Sequence, residues 1–218
     1  MSKPPVALLS RLLSTGLCLT VLGACNSLPT AATPHTVFYA IEGTPGAVRA
    51  EPPANSPATA PTLMVNPTHA AAGFDSPRII YVRETHKLEY FAHSEWVDPP
   101  ARMLAPLLVA ALANSGAFRA VMLTPSAAAG ELRLDTEIIR LQQEFQTQPS
   151  RVRFTLRAYL VDDLTRRVLA WREFDAVVPA ASEDPYGGVV AANRAVQTVL
   201  ESLTVFCAEA VRSAPMRK

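Results

Sequence analysis

The sequence contains little cysteine and has no excess of charge of either sign. Three cysteines occur in 218 residues, and 20 basic residues stand against 19 acidic ones. The Lys and Arg residues are spread along the chain, whereas a nucleic-acid-binding protein concentrates them on one surface. The composition therefore predicts that nucleic acid is not a partner.

Catalytic and metal-binding motifs are also missing from the sequence. It has no G-x-S-x-G, no glycine-rich phosphate loop, no H-E-x-x-H and no C-x-x-C. His35 and His69 stand far from the other two histidines. His86, Glu89 and His93 can be drawn as a metal site, but on a strand His86 would point away from the other two. We therefore predict no enzyme activity, no bound metal and no cofactor.

The N-terminus has the organisation of a secretory signal peptide. Lys3 and Arg11 precede an uncharged apolar run, residues 12–24, which is too short for a spanning helix of about 20 residues. The run ends in Leu-Gly-Ala-Cys at residues 22–25, which resembles the bacterial lipobox, where the cysteine is acylated and becomes the new N-terminus. We predict a signal peptide at residues 1–24 and a lipid (palmitate-type) anchor on Cys25. The alternative is a secreted protein with a chance cysteine.

Acylation of Cys25 would attach the mature chain to a membrane without crossing it. Two or more fatty chains hold a protein stably at a bilayer, whereas one chain holds it only marginally. Residue 26 is Asn rather than the Asp that, by resemblance to lipoprotein sorting, retains a lipoprotein in the inner membrane. We therefore expect the periplasmic face of the outer membrane.

Removal of the signal peptide leaves 218 − 24 = 194 residues with almost balanced charge. Lys3 and Arg11 leave with it, so 18 basic residues remain against 19 acidic ones. Cys18 also leaves and Cys25 carries lipid, so Cys207 is the one thiol left and no internal disulfide can form. Cys207 lies in an apolar helical pattern, which predicts a buried thiol rather than a nucleophile.

The mature chain reads as one domain with short polar ends. Residues 25–35 form a tether, residues 36–212 a single domain and residues 213–218 a tail. Within the domain, Gly43–Pro61 contains five prolines and almost no large apolar residue. Such a segment buries too little surface to offset its ordering entropy, so we predict a disordered or polyproline-like loop at residues 43–61.

Apolar periodicity predicts strands separated by two long helices. Alternation breaks phase near Ile139, which predicts a bulge. Arg151, Arg153 and Arg157 share one strand face, which predicts a solvated surface facing acidic side chains such as Glu137. Helices are predicted from a cap at Asp98 to Gly116, and from Asp184-Pro185 to about Arg212. Strands are predicted at Thr36–Ile41, Thr62–Asn66, Arg78–Arg83, Leu88–Phe91, Phe118–Leu123, from Glu131 to Leu141, Ser150–Asp162 and Arg167–Val178.

The order of these elements resembles the ABC-type transport auxiliary lipoproteins, the PqiC-like family that works beside MCE-domain lipid transporters. Coverage is roughly residues 36–212. The residues that carry the resemblance are Pro77–Tyr81, Leu88–Phe91, Trp96 with Pro99-Pro100, the helix through Leu104, Leu107, Leu108 and Leu112, Gly116–Phe118 with Val121, and the helix Ala191–Leu203.

The resemblance implies an α/β fold, a three-layer sandwich with a mixed β-sheet and two main helices, similar to the anticodon-binding or TolB N-terminal type. It implies a lipoprotein subunit that binds an MCE-domain periplasmic protein of an ABC transporter and helps to move lipid or another hydrophobic solute. A structural lipoprotein that stabilises an outer-membrane complex without binding cargo is the alternative. Homo-oligomer formation is left open.

The partner surface is predicted from a concentration of aromatic residues. Tyr81, Tyr90, Phe91 and Trp96 exceed what one sheet face needs, and Tyr and Trp are enriched where proteins dock. The alternative is that these side chains fill the core beneath the first helix. Alanine substitution at Tyr90 separates the two interpretations.

Overall fold

A computed structural model of the chain describes residues 35–43 and 59–213. The predicted signal peptide, Cys25, most of the tether and of the proline-rich loop, and the tail after residue 213 lie outside these residues. No helix in the described part of the chain is long and apolar enough to cross a membrane.

The described residues form nine strands and two helices. The strands are β1 Val37–Tyr39, β2 Thr62–Val65, β3 His69–Ala70, β4 Arg78–Val82, β5 Glu89–Trp96, β6 Ala120–Leu123, β7 Leu132–Glu144, β8 Arg151–Asp162 and β9 Val168–Pro179. The helices are α1 Pro100–Ala113 and α2 Pro185–Ser213.

Strand β7 organises the sheet because both of its edges are paired along most of its length. On one edge it pairs antiparallel with β8, which pairs antiparallel with β9. On the other edge it pairs in parallel with β2, β3 and β4 in turn. Strand β6 extends the sheet beyond β2, and β5 and then β1 extend it beyond β4. The result is the mixed sheet that the sequence predicted.

The register of β7 and β8 follows the predicted alternation. The large apolar side chains of β8 that face the core recur at every second residue from Val152 to Leu160, which is the pattern of a strand with one covered face. The pairing of β7 with β8 shifts between Ile138 and Arg140, which confirms the predicted bulge. The residues of β8 that face the core are Val152, Phe154, Leu156, Ala158 and Leu160.

Both helices pack on the same face of the sheet. Leu104 and Leu108 of α1 share one core with Val196 and Leu203 of α2 and with the inward residues of β8, such as Phe154. The helices also contact each other. The predicted α/β class with a mixed sheet and two main helices is confirmed, and no described helix covers the opposite face of β7, β8 and β9.

The two helices begin in different ways. For α2, the Oδ1 atom of Asp184 accepts a hydrogen bond from the Gly187 amide at 2.7 Å, and this bond holds the pKa of the Asp184 carboxyl below its ordinary value. For α1, the predicted cap at Asp98 is wrong. The cap position is Pro99, whose side chain makes no capping bond, and Asp98 instead pairs with Arg102 at 3.4 Å. The helix starts one residue too late for Asp98 to occupy the cap position.

Apart from the short strand β3, which was not predicted, the remaining elements match the predictions except in their limits. Strands β4 and β5 pair antiparallel as a hairpin, and β5 continues beyond the predicted end at Phe91 to Trp96. Strand β1 is shorter than predicted and pairs in parallel with β5. Helix α1 contains Pro106 and continues through it to Ala113.

Candidate functional site

The open face of β7, β8 and β9 carries a ladder of paired charges. Arg153 lies between Glu144, at 3.0 Å from its Nε, and Asp175. Arg157 lies between Glu137 and Glu173, at 3.4 and 3.0 Å. The predicted arrangement of arginines facing acidic side chains such as Glu137 is confirmed.

The arginines of the ladder are paired with carboxylates of the same ladder, so their charge is not available to a ligand. Arg133 repeats the pattern, because its Nη1 lies 2.7 Å from Asp163 and its Nε lies 3.1 Å from Asp135. Each of these guanidinium groups thus has two carboxylates beside it. A phosphate or a nucleic-acid backbone would have to displace these carboxylates, so the ladder is a structural surface.

The four predicted docking residues do not form one surface. Tyr81 and Phe91 pack against each other and against Phe145, with ring centroids 4.5, 5.7 and 6.4 Å apart. Trp96 is only 3% exposed and belongs to the core, as the alternative interpretation expects.

Tyr90 is the predicted docking residue that solvent reaches most easily. Its side chain is 39% exposed, and the Arg78 guanidinium lies 4.8 Å from the centre of its ring. Leu88, two residues earlier, is exposed to a similar degree. An exposed aromatic ring under an arginine is a common element of protein interfaces, so the docking prediction now centres on Tyr90.

An apolar groove of about 820 Å³ lies between α1, α2 and the segment that leads into β6. Ala110 and Ala111 on α1 leave this space open, since a larger side chain there would fill it. Cavities of this size with a mainly apolar lining are typical of sites for small hydrophobic ligands. The apolar lining includes Leu107, Ala110, Phe118, Val121, Val196 and Leu200.

Polar side chains stand at the rim of the groove. Asn114, Gln197 and Glu201 line it, together with Arg119. The Arg119 guanidinium donates to the Thr62 hydroxyl at 2.9 Å and lies 3.2 Å from Glu131. The groove therefore suits a ligand with an apolar body and a polar end.

Gly43 also lines the groove. A Cβ atom at this position would lie 3.0 Å from Cδ2 of Leu107, which is tighter than ordinary side-chain packing. Glycine thus lets the backbone after β1 approach α1 closely. This brings the chain that follows β1 to the groove rim.

Cys207 and the histidines are placed apart from the groove. The Cys207 thiol is fully buried, which confirms the predicted buried thiol, and burial raises its pKa to about 12. His86 lies in the turn between β4 and β5 with φ 69°, not on a strand as assumed. Glu89 pairs with Arg83 at 3.1 Å. No group of three potential metal ligands occurs within residues 35–43 and 59–213.

Known proteins resemble this chain in sequence pattern and in fold. The family model described as ABC-type transport auxiliary lipoprotein component matches residues 43–204. A solved structure from Xanthomonas campestris, described as belonging to DUF330, is 24% identical and has a TM-score of 0.69; the match covers 81% of this chain and 97% of that one. No curated protein matches the chain.

A second solved structure, of an uncharacterized protein, is 10% identical with a TM-score of 0.62, and the match covers 79% of this chain and 99% of that one. At these identities the two structures show that the fold is shared. The family model covers 204 − 43 + 1 = 162 of the 218 residues, and its family consists of transport auxiliaries rather than enzymes. The chain therefore belongs to the family of ABC-type transport auxiliary lipoprotein components.

Proposed function

We propose that the protein is a lipoprotein of the outer membrane, anchored through Cys25 on the periplasmic face, that serves an ABC-type system for intermembrane transport of lipid or another hydrophobic solute. It acts by binding the periplasmic MCE-domain component of that transporter. The observation that carries the proposal is the family match over residues 43–204, and the apolar groove adds a feature that suits hydrophobic cargo.

The groove gives the cargo part of the proposal a physical basis. Transfer of an alkyl chain out of a bilayer needs an apolar surface of comparable length, because each exposed methylene costs about 0.8 kcal/mol. The surface between α1 and α2 offers such a mainly apolar lining. The charge ladder on β7, β8 and β9 offers none.

Photo-crosslinking in living cells tests both parts of the proposal together. A benzophenone amino acid replaces Leu107 at the groove, Tyr90 at the predicted docking position, or Trp171 on β9, which is exposed and lies outside both. We expect a lipid adduct from position 107, an adduct with the MCE-domain protein from position 90 and neither adduct from position 171.

The pattern of adducts separates the two parts. A protein adduct at position 90 without lipid at position 107 supports the alternative of a structural lipoprotein that carries no cargo. Absence of both adducts, with all three variants present in the membrane fraction, contradicts the proposal.

Substitution of Tyr90 by alanine is expected to abolish association with the MCE-domain protein while leaving the fold intact. The side chain is exposed and its ring lies under the Arg78 guanidinium, so the free energy of unfolding should fall by less than about 1 kcal/mol. Co-purification from membranes and urea unfolding measure the two quantities.

Two control variants show whether the effect of Tyr90→Ala is specific to docking. Trp171→Ala removes a more exposed aromatic side chain on β9 and should leave association unchanged. Trp96→Ala empties a core position and should destabilise the protein by about 3–5 kcal/mol. If Tyr90→Ala retains full association, or unfolds like Trp96→Ala, Tyr90 is a packing residue rather than a docking residue.

A further inference from the structure

Four exposed apolar side chains surround β1. The Val97 amide donates a hydrogen bond to the Tyr39 carbonyl at 2.8 Å, and the Tyr186 ring lies 6.5 Å from the Tyr39 ring, so both residues lie beside this strand. Val37, Phe38, Val97 and Tyr186, called here the β1 patch, are four of the twelve large apolar side chains that are exposed in the described residues. A third of these exposed side chains thus lies on or beside a strand of three residues.

Strand β1 is an edge strand without charged residues. Within the described part of the chain it pairs only with β5. Val37 and Phe38 are adjacent, so their side chains point to opposite faces of the sheet and border the edge on both sides. Edge strands that face water usually carry charged side chains. The composition of β1, Val-Phe-Tyr, instead suits an apolar surrounding.

The position of β1 in the sequence indicates which apolar environment surrounds the strand. Only residues 26–36 separate it from Cys25. Twelve residue steps at 3.3–3.6 Å each span at most about 40 Å, so an acylated Cys25 keeps β1 close to the bilayer. A short tether gives a second contact a high effective concentration, so even a weak attraction is sufficient. This step rests on the lipid anchor of the proposed function.

We propose that the β1 patch inserts into the headgroup region of the bilayer as a second membrane contact, which orients the domain. Phe and Tyr side chains are suited to this depth, because their rings are apolar and the tyrosine hydroxyl still reaches water. Glu95 lies opposite Phe38 in the register, and Glu42 follows β1. The attraction is therefore to the apolar interface rather than to anionic lipid.

Strand β9 provides the internal comparison. Val168 and Trp171 are also exposed on this edge strand, but Arg172, Glu173 and Asp175 accompany them. Five strand spacings of about 4.8 Å, roughly 24 Å, separate β9 from β1 across the sheet. In the proposed orientation β9 faces the periplasm.

Fluorescence of a labelled thiol in vesicles tests the proposal. The lipidated protein carrying Phe38→Cys, or Trp171→Cys as control, is labelled with an environment-sensitive dye and reconstituted into phosphatidylcholine vesicles. Phe38 and Trp171 are 63% and 62% exposed, so the two sites start from the same accessibility. The label goes to the introduced thiol alone, since Cys25 carries lipid and Cys207 is fully buried. Spin-labelled lipids then quench any dye that lies in the bilayer.

We expect the dye at position 38 to emit at shorter wavelength and to be quenched by the spin-labelled lipids, and the dye at position 171 to show neither effect. Equal, unquenched emission at both positions in protein that floats with the vesicles overturns the proposal and leaves the anchor intact. The dye at position 38 could instead emit at shorter wavelength only when the protein is dense in the vesicles, without quenching by the spin-labelled lipids. The β1 patch would then contact a second copy of the protein, and this result also overturns the proposal. Protein that does not float contradicts the anchor and removes the basis of the proposal with it.

Discussion

Replacement of Phe154 by alanine is expected to lower the free energy of unfolding by about 3–5 kcal/mol. Phe154 is fully buried in the first half of β8. Its register partners, Leu141 on β7 and Ala176 on β9, lie in the same core. Strand β8 has strands on both sides and α2 packed against it, so the cavity left by the missing ring cannot collapse far. The free energy of unfolding should therefore fall by the full amount expected for a buried aromatic residue.

The loss is large compared with the total stability of a domain, which is about 5–15 kcal/mol. Urea unfolding followed by circular dichroism measures it. Val168→Ala on β9 removes an exposed apolar side chain and should change stability by no more than about 0.5 kcal/mol. If the two variants are equally stable, Phe154 does not occupy the core position described above.

Replacement of Glu144 by glutamine is expected to cost about 2–3 kcal/mol at neutral pH. The carboxylate lies at the end of β7, nearly buried, and accepts hydrogen bonds from Arg151 at 2.8 Å and from Arg153 at 3.0 Å. Glutamine keeps the shape but loses the charge, so two partly buried guanidinium groups lose their shared partner. Glu84→Gln, at an exposed pair with Lys87, is the matched control and should cost less than about 0.5 kcal/mol.

The Glu144 effect should depend on pH in a defined direction. Burial alone would raise the pKa of this carboxyl, but the hydrogen bonds from Arg151, Arg153 and Gln142 outweigh burial and hold the pKa below its ordinary value. A carboxyl with a lowered folded-state pKa stabilises fully above its unfolded pKa of about 4.3, and this stabilisation is lost as pH falls through the folded pKa.

The difference in unfolding free energy between the wild-type protein and Glu144→Gln should therefore be constant near neutrality and shrink in acid. Denaturant titrations at a series of pH values measure this difference. A gap that persists undiminished at the lowest pH where the protein remains folded would mean that the charge of Glu144 is not the cause.

The strands could be predicted from sequence where one face packs and the other meets water. The alternation of β8 and the phase change near Ile139 are direct consequences of a covered and an open face, so both predictions held. The two-residue strand β3 was not predicted, because His69-Ala70 is too short to show a period. The cap at Asp98 failed because Pro99 and Pro100 shift the start of α1.

The groove could not be predicted because it depends on residues that are distant in the chain. Ala110 on α1 and Leu200 on α2 are ninety residues apart, and the space between them follows from how the two helices cross the sheet. Small residues on α1 were the available signal. The burial of the aromatic residues could not be predicted either. Sequence alone does not distinguish the buried Trp96 from the exposed Tyr90 six residues before it.

Attachment through Cys25 is the claim on which the proposed location, the docking role and the β1 membrane contact all depend. Intact-mass spectrometry of the protein purified from membranes tests it most directly, alongside the Cys25→Ser variant. We expect the mature chain to start at residue 25 with the added mass of its fatty chains, and the Cys25→Ser variant to be absent from the outer-membrane fraction. An unmodified mature N-terminus, or wild-type protein recovered free in the periplasm, would contradict the account.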